Sequence, residues 1–368
     1  MKTYAVGGSV RDELLGLPVA DRDWVVVGAT PQEMAARGFR PVGSDFPVFL
    51  HPQTHEEYAL ARTERKTAPG YKGFTFHAAP DVTLEEDLRR RDLTINAMAR
   101  GEDGTLVDPH GGAADLRRGV LRHVSEAFSE DPVRILRVAR FAARFDFAVA
   151  PETLALMRRM VLAGEADHLV PERVWRELSR GLGEKAPSRM IAVLRECGAL
   201  ARVLPEIDGV VAEAAKAPRL AARLDIAARE YSPAVQFASL AYDLPADAVE
   251  TLCARVNVPG ECRDVALLSV REKEAVARVE ASGPDERLGI LERADAFRRP
   301  ARLQSLLEAC ECDYRAAGGA LPFASRVRLQ DARAAAAAID AGATARAHPA
   351  DIPGAIRAAR LAALAAAG

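Results

Sequence analysis

The sequence predicts an α+β head followed by an all-helical remainder. Over the first 125 residues or so, short β-branched runs alternate with short helical patterns. From about Ser125 onward, apolar residues recur at spacings of three and four, with Pro and Gly punctuating between them. At 368 residues the chain is long enough for several domains or one elongated helical body.

Within the head, Tyr4 to Val6, Trp24 to Val27, Val48 to Leu50 and Glu57 to Ala61 read as strands. Asp12 to Leu15 and Pro31 to Ala36 read as helical turns. Lys66 to Pro80 is rich in Gly, Pro, Thr and Lys without apolar periodicity, which predicts a mobile loop. Helical spacing then runs through Val133 to Phe141, Leu154 to Val161, Val174 to Leu182 and Met190 to Leu194. Beyond Pro205 aromatics thin out and Ala increases, ending in Arg333 to Ile339 and Ala355 to Ala367, which suit a helical arm. No repeat of fixed period is evident. The expected divisions are a head at 1–125, a helical neck and body at 126–207, and a helical body and tail at 208–368.

A hydrophobic content of 49% and a charged content of 28% exclude collagen-like, disulfide-scaffold and disordered classes. No window reaches the ~18 uninterrupted apolar residues of a membrane span. Met1 to Val10 does not read as a signal peptide, because Gly7 and Gly8 cut its apolar run short and Arg11-Asp12 follows. A cytoplasmic location is expected. Five scattered cysteines, with no Cys-x-x-Cys, read as reduced thiols. With 50 basic and 52 acidic residues, bulk charge announces no nucleic-acid partner. The basic residues are 44 Arg and six Lys. Arginine's planar fork suits phosphates and bases, although a GC-rich genome accounts for most of that bias.

Chemistry concentrates in a few short patterns. Asp21 and Asp23 open a strand at i and i+2, a spacing that points both carboxylates one way. Paired negative charges favour a neutralising cation, and oxygen-only ligation suits Mg²⁺ bridging substrate phosphates; a merely solvated strand end is the plain alternative. Upstream, Gly7-Gly8 sits between a strand and a helix start, where backbone N–H groups and Arg11 can approach a triphosphate. Neither Gly-x-Gly-x-x-Gly nor Gly-x-x-x-x-Gly-Lys-Ser/Thr occurs, so dinucleotide-fold and P-loop readings fail.

Four ordered motifs, Gly7-Gly8-Ser9-Val10-Arg11-Asp12 with Asp21-Arg22-Asp23, then Arg90-Arg91-Asp92-Leu93-Thr94-Ile95-Asn96-Ala97, then Glu130-Asp131-Pro132-Val133-Arg134-Ile135-Leu136-Arg137, resemble the class II CCA-adding tRNA nucleotidyltransferases, especially bacterial ones. The resemblance covers Met1 to about Ile207. It implies a polymerase-beta-like head with neck, body and tail helices, and template-independent addition of C, C and A to tRNA 3′ ends from CTP and ATP. The implied cofactor is Mg²⁺, held by Asp21 and Asp23. A third carboxylate on a neighbouring strand is expected at Glu57, with Glu56 adjacent and the register open by one.

Asp131 and Arg134, spaced i and i+3, could share a helix face and read the base. The carboxylate would accept from the exocyclic amine of C or A while the guanidinium donates to the adjacent ring nitrogen; U and G present the opposite pattern. A helix-start acid with an i,i+3 salt bridge is the alternative. Below them, Arg137, Arg140 and Arg144 continue a basic stripe with no acid three or four positions away, which suits phosphates. The resemblance places Arg137, Arg140, Arg91, Gly8 and Arg11 at nucleotide-contacting positions, and leaves Asp92 to orient Arg91 or read a ribose hydroxyl. Asp108-Pro109-His110-Gly111-Gly112 resembles a flexible connection of the family, or is a plain turn. His51 and His55 are four apart, but Pro52 argues against a helical metal pair.

Phe237 to Leu244 is similar to the metal-dependent phosphohydrolase segment that some bacterial members carry, with Tyr242 in place of its histidine. No His occurs from Leu169 to Ala347, so a degenerate scaffold gripping the acceptor arm and T-arm of tRNA is expected instead. The rival readings are a poly(A) polymerase or a CC-only or A-only enzyme on the same head. A noncatalytic tRNA-binding module fits less well, because binding alone needs no paired carboxylates.

Overall fold

The computed structural model describes residues 1–19, 21–42, 48–66, 74–77 and 79–367. The chain divides into two compact units, Met1–Glu177 with Arg189–Val203, and Leu178–Ser188 with Leu204–Gly368.

The first unit opens with β1 (Lys2–Val6), α1 (Gly8–Leu14), β2 (Asp23–Val27), α2 (Pro31–Ala36), β3 (Arg40–Val42), β4 (Val48–Leu50) and β5 (Glu57–Leu60). There follow β6 (Thr63–Lys66), β7 (Phe74–His77), α3 (Leu84–Arg89), β8 (Ala99–Gly101), β9 (Leu106–Val107), α4 (Gly112–Arg118) and β10 (Val120–Leu121). Then come α5 (Val133–Phe145), β11 (Ala148–Val149), α6 (Pro151–Leu162) and α7 (Pro171–Leu182), whose last turns pass into the second unit.

Seven strands form one sheet in the order β3-β4-β5-β2-β1-β8-β9. Among the described residues of this sheet only the β2–β5 pair is parallel, with Asp23 opposite Glu57 and Val25 opposite Ala59. Side chains alternate across the sheet. On one face Val6, Val25 and Ala99 pack with Val82 and Leu88 of the α3 region; on the other, Val26, Phe49 and Leu60 pack with Met34 of α2. Both helices start at a Thr whose side chain accepts from the third helical N–H while a Glu reaches back, at Thr30–Glu33 and Thr83–Glu86.

Two expectations need correction. Helix α1 starts at Gly8 rather than Asp12, because glycines carry no apolar period that would mark the first turn. The segment expected as a loop from Lys66 to Pro80 instead contributes β7, paired antiparallel with β6 from Thr63↔His77 to Lys66↔Phe74. Phe74 and Phe76 alternate with Thr75 and His77, a strand period hidden by the surrounding Gly and Pro. Positions 67–73 and 78 of that expected loop lie outside the described residues.

The second unit is helical. After α8 (Pro187–Glu196) and α9 (Ala199–Val203), which lie almost wholly in the first unit, the second unit runs through α10 (Pro205–Ala212), α11 (Ala217–Glu230), α12 (Pro233–Ala241), α13 (Ala246–Arg255), α14 (Gly260–Ala277), α15 (Pro284–Arg293) and α16 (Pro300–Ala316). Helices α11, α12, α14 and α16 pack on one another around Leu224, Phe237, Leu240, Leu268 and Leu307. The last three, α17 (Ala324–Ala337), α18 (Ala341–Ala347) and α19 (Ile352–Ala366), form the Ala-rich end. Among the described residues no helix is long and apolar enough to cross a membrane.

Candidate active site

Three acids gather at one end of the head sheet. Val6, the last residue of β1, stands opposite Asp23, the first of β2, so the Gly7-Gly8 turn leaves the sheet beside Asp23. Strand β5 runs parallel to β2 and begins at the same end with Glu57. Residues opposite each other share a face, which selects Glu57 over Glu56 as Asp23's neighbour. Glu56 instead accepts from the Thr54 hydroxyl at 3.0 Å. Asp21 precedes the strand, so strand alternation fixes the direction of Asp23 only and not of both acids. Asp21, Asp23 and Glu57 are exposed. Among the described residues none of the three side chains has a hydrogen bond or ion pair. Like charges side by side repel unless an outside cation joins them, so this hard-oxygen donor set fits a divalent metal.

Gly7 is the hinge of the turn, with φ of +70°, a conformation that glycine adopts without steric cost. A Cβ there would lie 2.9 Å from Arg91 Nη1, so the guanidinium of Arg91 passes directly over the turn. Arg91 and Arg90 both pair with Asp87, at 3.1 and 2.6 Å. Burial works to raise the Asp87 carboxyl, but the two guanidinia hold it below its usual range.

The basic stripe of α5 belongs to an ion-pair lattice, contrary to the expectation from its local sequence. Arg137 Nε donates to Asp92 Oδ2 at 2.7 Å, Arg140 Nε to Glu177 Oε2 at 2.7 Å, and Arg144 Nη2 to Asp12 Oδ2 at 3.0 Å. These acids lie 45, 37 and 132 residues away, beyond any reading of helical neighbours. Asp92 therefore orients Arg137 rather than Arg91. It also accepts from Asn96 Nδ2 at 3.0 Å, and Asn96 Oδ1 accepts from Arg11 Nη1 at 2.5 Å. Burial pushes the Asp92 carboxyl up, but Arg137, the Asn96 hydrogen bond and Arg134 outweigh it and hold the group far below the usual carboxylate range. Arg11 is only 3% exposed, and its guanidinium lies 5.2 and 5.0 Å from the ring centres of Phe141 and Phe145. Arg137, Arg144 and Arg91 are more open, with side chains 34%, 33% and 20% exposed.

Asp131 and Arg134 do not share a helix. Asp131 caps the 3₁₀ turn Glu126–Glu130 in extended conformation, and α5 starts only at Val133. Arg173 of α7 grips Asp131, with Nη1 at 3.2 Å from Oδ1 and Nη2 at 2.7 Å from Oδ2. Arg134 donates instead to the carbonyls of Ala127 and Arg90, at 2.9 and 2.7 Å. Sequence reasoning missed Arg173, Glu177, Asp87 and Asn96. The only local signal was the opposite charge of Arg173 and Glu177 at i and i+4 on one helix, which by itself says nothing about partners elsewhere.

Residues 3–122 match the Poly A polymerase head domain, and residues 146–210 match the "Probable RNA and SrmB-binding site of polymerase A". The multifunctional CCA protein of Burkholderia cenocepacia is 59% identical, over 94% of this chain and 93% of its own length. The chain belongs to the multifunctional CCA protein family. Its Azoarcus relative of the same name is 56% identical over 99% of this chain and 97% of its own. Among solved structures, the Bacillus stearothermophilus CCA-adding enzyme in complex with CTP aligns with a TM-score of 0.74 at 26% identity, covering 98% of this chain and 88% of that one. The Thermotoga maritima CCA-adding enzyme complexed with a tRNA shares the fold, with a TM-score of 0.62 at 22% identity over 91% of this chain and 78% of that one.

Two remaining motifs of this multifunctional CCA family member have structural work. Asp108 accepts from the N–H groups of Gly112 and Ala113 at 2.7 and 2.9 Å, tying down the start of α4. His51 Nδ1 accepts from the N–H groups of Gln53 and Thr54, and its ring packs against Phe39 and Tyr58. In the segment similar to a phosphohydrolase, Asp243 accepts from Arg223 Nη2 at 2.5 Å and the Tyr242 carbonyl from Lys273 at 2.6 Å. Cations of the chain itself thus occupy this place, which does not fit a His-ligated metal.

Proposed function

We propose that the chain adds and repairs the 3′-terminal C, C and A of tRNA, using CTP and ATP without a template and releasing pyrophosphate. The observation that carries this reading is the set of three unpartnered carboxylates, Asp21, Asp23 and Glu57, beside a glycine turn overlaid by Arg91. Full-length similarity to multifunctional CCA proteins supports it.

Asp21 and Asp23, with Glu57 beside them, would hold Mg²⁺, which when bound lowers the pKa of the attacking 3′-hydroxyl and neutralises phosphate charge. The chain's own residues do the rest. Gly7 and Gly8 leave room for the triphosphate, and Arg91 and Arg137, which are partly open, bind its oxygens. Arg11 and Arg140 are buried and hold the platform beneath them. Asp131 accepts from the exocyclic amine of C or A, and Arg134 donates to the neighbouring ring nitrogen. A base that puts carbonyl against carboxylate leaves buried groups unpaired, which discriminates strongly.

In this reading residues 1–125 carry nucleotidyl transfer, 126–207 select the nucleotide and meet RNA, and 208–368 serve as a scaffold for the acceptor arm and T-arm. The five cysteines are buried free thiols, with Cys310 and Cys312 pushed up to about 12 by burial, which suits the reducing cytoplasm. The test is a tRNA lacking its last three nucleotides, incubated with each triphosphate alone and with both, followed by reading the 3′ end. CTP alone should add two residues, and ATP should follow only after them. Extension of that tRNA by ATP alone would contradict the reading and favour a poly(A)-type enzyme.

A further inference from the structure

We infer that Arg173 is a positioning residue that grips the Asp131 carboxylate and aims it at the base. The inference rests on the proposed base-reading role of Asp131 and Arg134.

Asp131 lies in the extended link between a 3₁₀ turn and α5, and its side chain has a single tie within that link, accepting from Val133 N at 3.1 Å on Oδ1. A carboxylate so loosely held would turn toward the nearest cation, and Arg134 stands only three residues on. Yet the Arg134 guanidinium donates to the carbonyls of Ala127 and Arg90, and Arg134 meets Asp131 through the backbone, its N–H donating to the Asp131 carbonyl at 3.0 Å. Arg173 holds the carboxylate instead, since its fork takes both oxygens at once.

The lone pairs then decide what remains. An ionised carboxylate offers about four acceptor directions. Val133 N and Arg173 Nη1 occupy Oδ1, and Arg173 Nη2 occupies one direction of Oδ2, which leaves a single direction on Oδ2. One direction fits one N–H of an exocyclic amine and repels the carbonyl that U or G presents there. One turn further along α7, Glu177 takes Arg140. A single helix thus holds both the acid that precedes α5 and an arginine in its second half.

The test compares full-length Arg173→Ala and Arg173→Lys with the unsubstituted chain, measuring kcat/KM for CTP, ATP, UTP and GTP on tRNA. In Arg173→Ala the preference for CTP over UTP should fall about 10- to 100-fold, the cost of a misplaced contact group. Lysine keeps the charge but not the fork, so Arg173→Lys should recover only part of the preference. Asp131→Ala with Arg173→Ala should lose no more preference than Asp131→Ala alone. Inhibition by pyrophosphate should stay unchanged, whereas general loosening of the site would weaken it. Should Arg173→Ala fail to fold, Arg173→Lys carries the test. Unchanged preference in the folded Arg173 variants, or a further loss in the double variant, overturns the inference while leaving the function standing. Absence of any C or A addition by the unsubstituted chain overturns both.

Discussion

Asp23 and Glu57 stand opposite each other in adjacent parallel strands, and neither carboxylate has a partner among the described residues. Other acids nearby are satisfied: Asp87 by Arg90 and Arg91, Asp92 by Arg137 and Asn96, Glu177 by Arg140. The two exposed acids are the groups left to bind something from outside.

Removing one of them should therefore separate catalysis from stability. Asp23→Asn should lower single-turnover CMP addition by at least about 100- to 1,000-fold, the scale seen when transition-state charge loses a stabilising group. Relief of repulsion against Glu57 should leave stability to urea unchanged or raised by about 0.2–1 kcal/mol. Binding of tRNA, measured by filter retention, should stay within a few fold. Marked destabilisation would show that Asp23 has a structural role instead.

Gly7→Ala should act through Arg91. The Gly7 φ of +70° with ψ of −127° lies outside the left-handed helical region and strains an alanine by about 1–3 kcal/mol, and the added Cβ would come within 2.9 Å of Arg91 Nη1. Displacing that guanidinium should raise KM for CTP and ATP alike, with no change in the choice between them. Steady-state kinetics with the two nucleotides checks this.

Glu177→Ala should be among the most destabilising single changes in the first unit. It removes the carboxylate that accepts from Arg140 Nε at 2.7 Å, where the two side chains are 6% and 8% exposed. Breaking such a buried pair costs about 3–5 kcal/mol. The shift in the first unit's urea transition measures the loss, and a shift near zero would show that the pair is not formed in solution.

Asp92 gives the fold an acid-sensitive element. Its folded carboxyl lies well below the unfolded value of about 3.9. A depressed carboxyl contributes stability that is fully present above the unfolded pKa and is lost as pH falls toward the folded one. Stability to urea should thus decline below about pH 4, and Asp92→Asn should start lower at neutral pH and lose less on acidification. Parallel pH profiles for the two proteins would contradict this role.

The sequence made some of this legible and hid the rest for physical reasons. Strands Val48–Leu50 and Glu57–Leu60 and helix Pro31–Ala36 follow local periodicity and a Thr-Pro start, so they could be read directly. The Asp21-x-Asp23 pair and Glu57 were readable as acids, but only strand register distinguishes Glu57 from Glu56. The arginine stripe misled because its partners Asp92, Glu177 and Asp12 arrive through tertiary packing, where helical spacing is silent. Arg173 was invisible for the same reason, since its meaning lies in Asp131, 42 residues away.

The central claim is that the acids at the end of the head sheet hold divalent metal for nucleotidyl transfer. The most direct measurement is anomalous diffraction from crystals of the protein soaked with Mn²⁺ and CTP, alongside crystals of Asp23→Asn. A metal peak bounded by the Asp21 and Asp23 carboxylates, lost in the variant, is the result expected. CTP bound with no metal at those two groups, or a peak unchanged in Asp23→Asn, would contradict it.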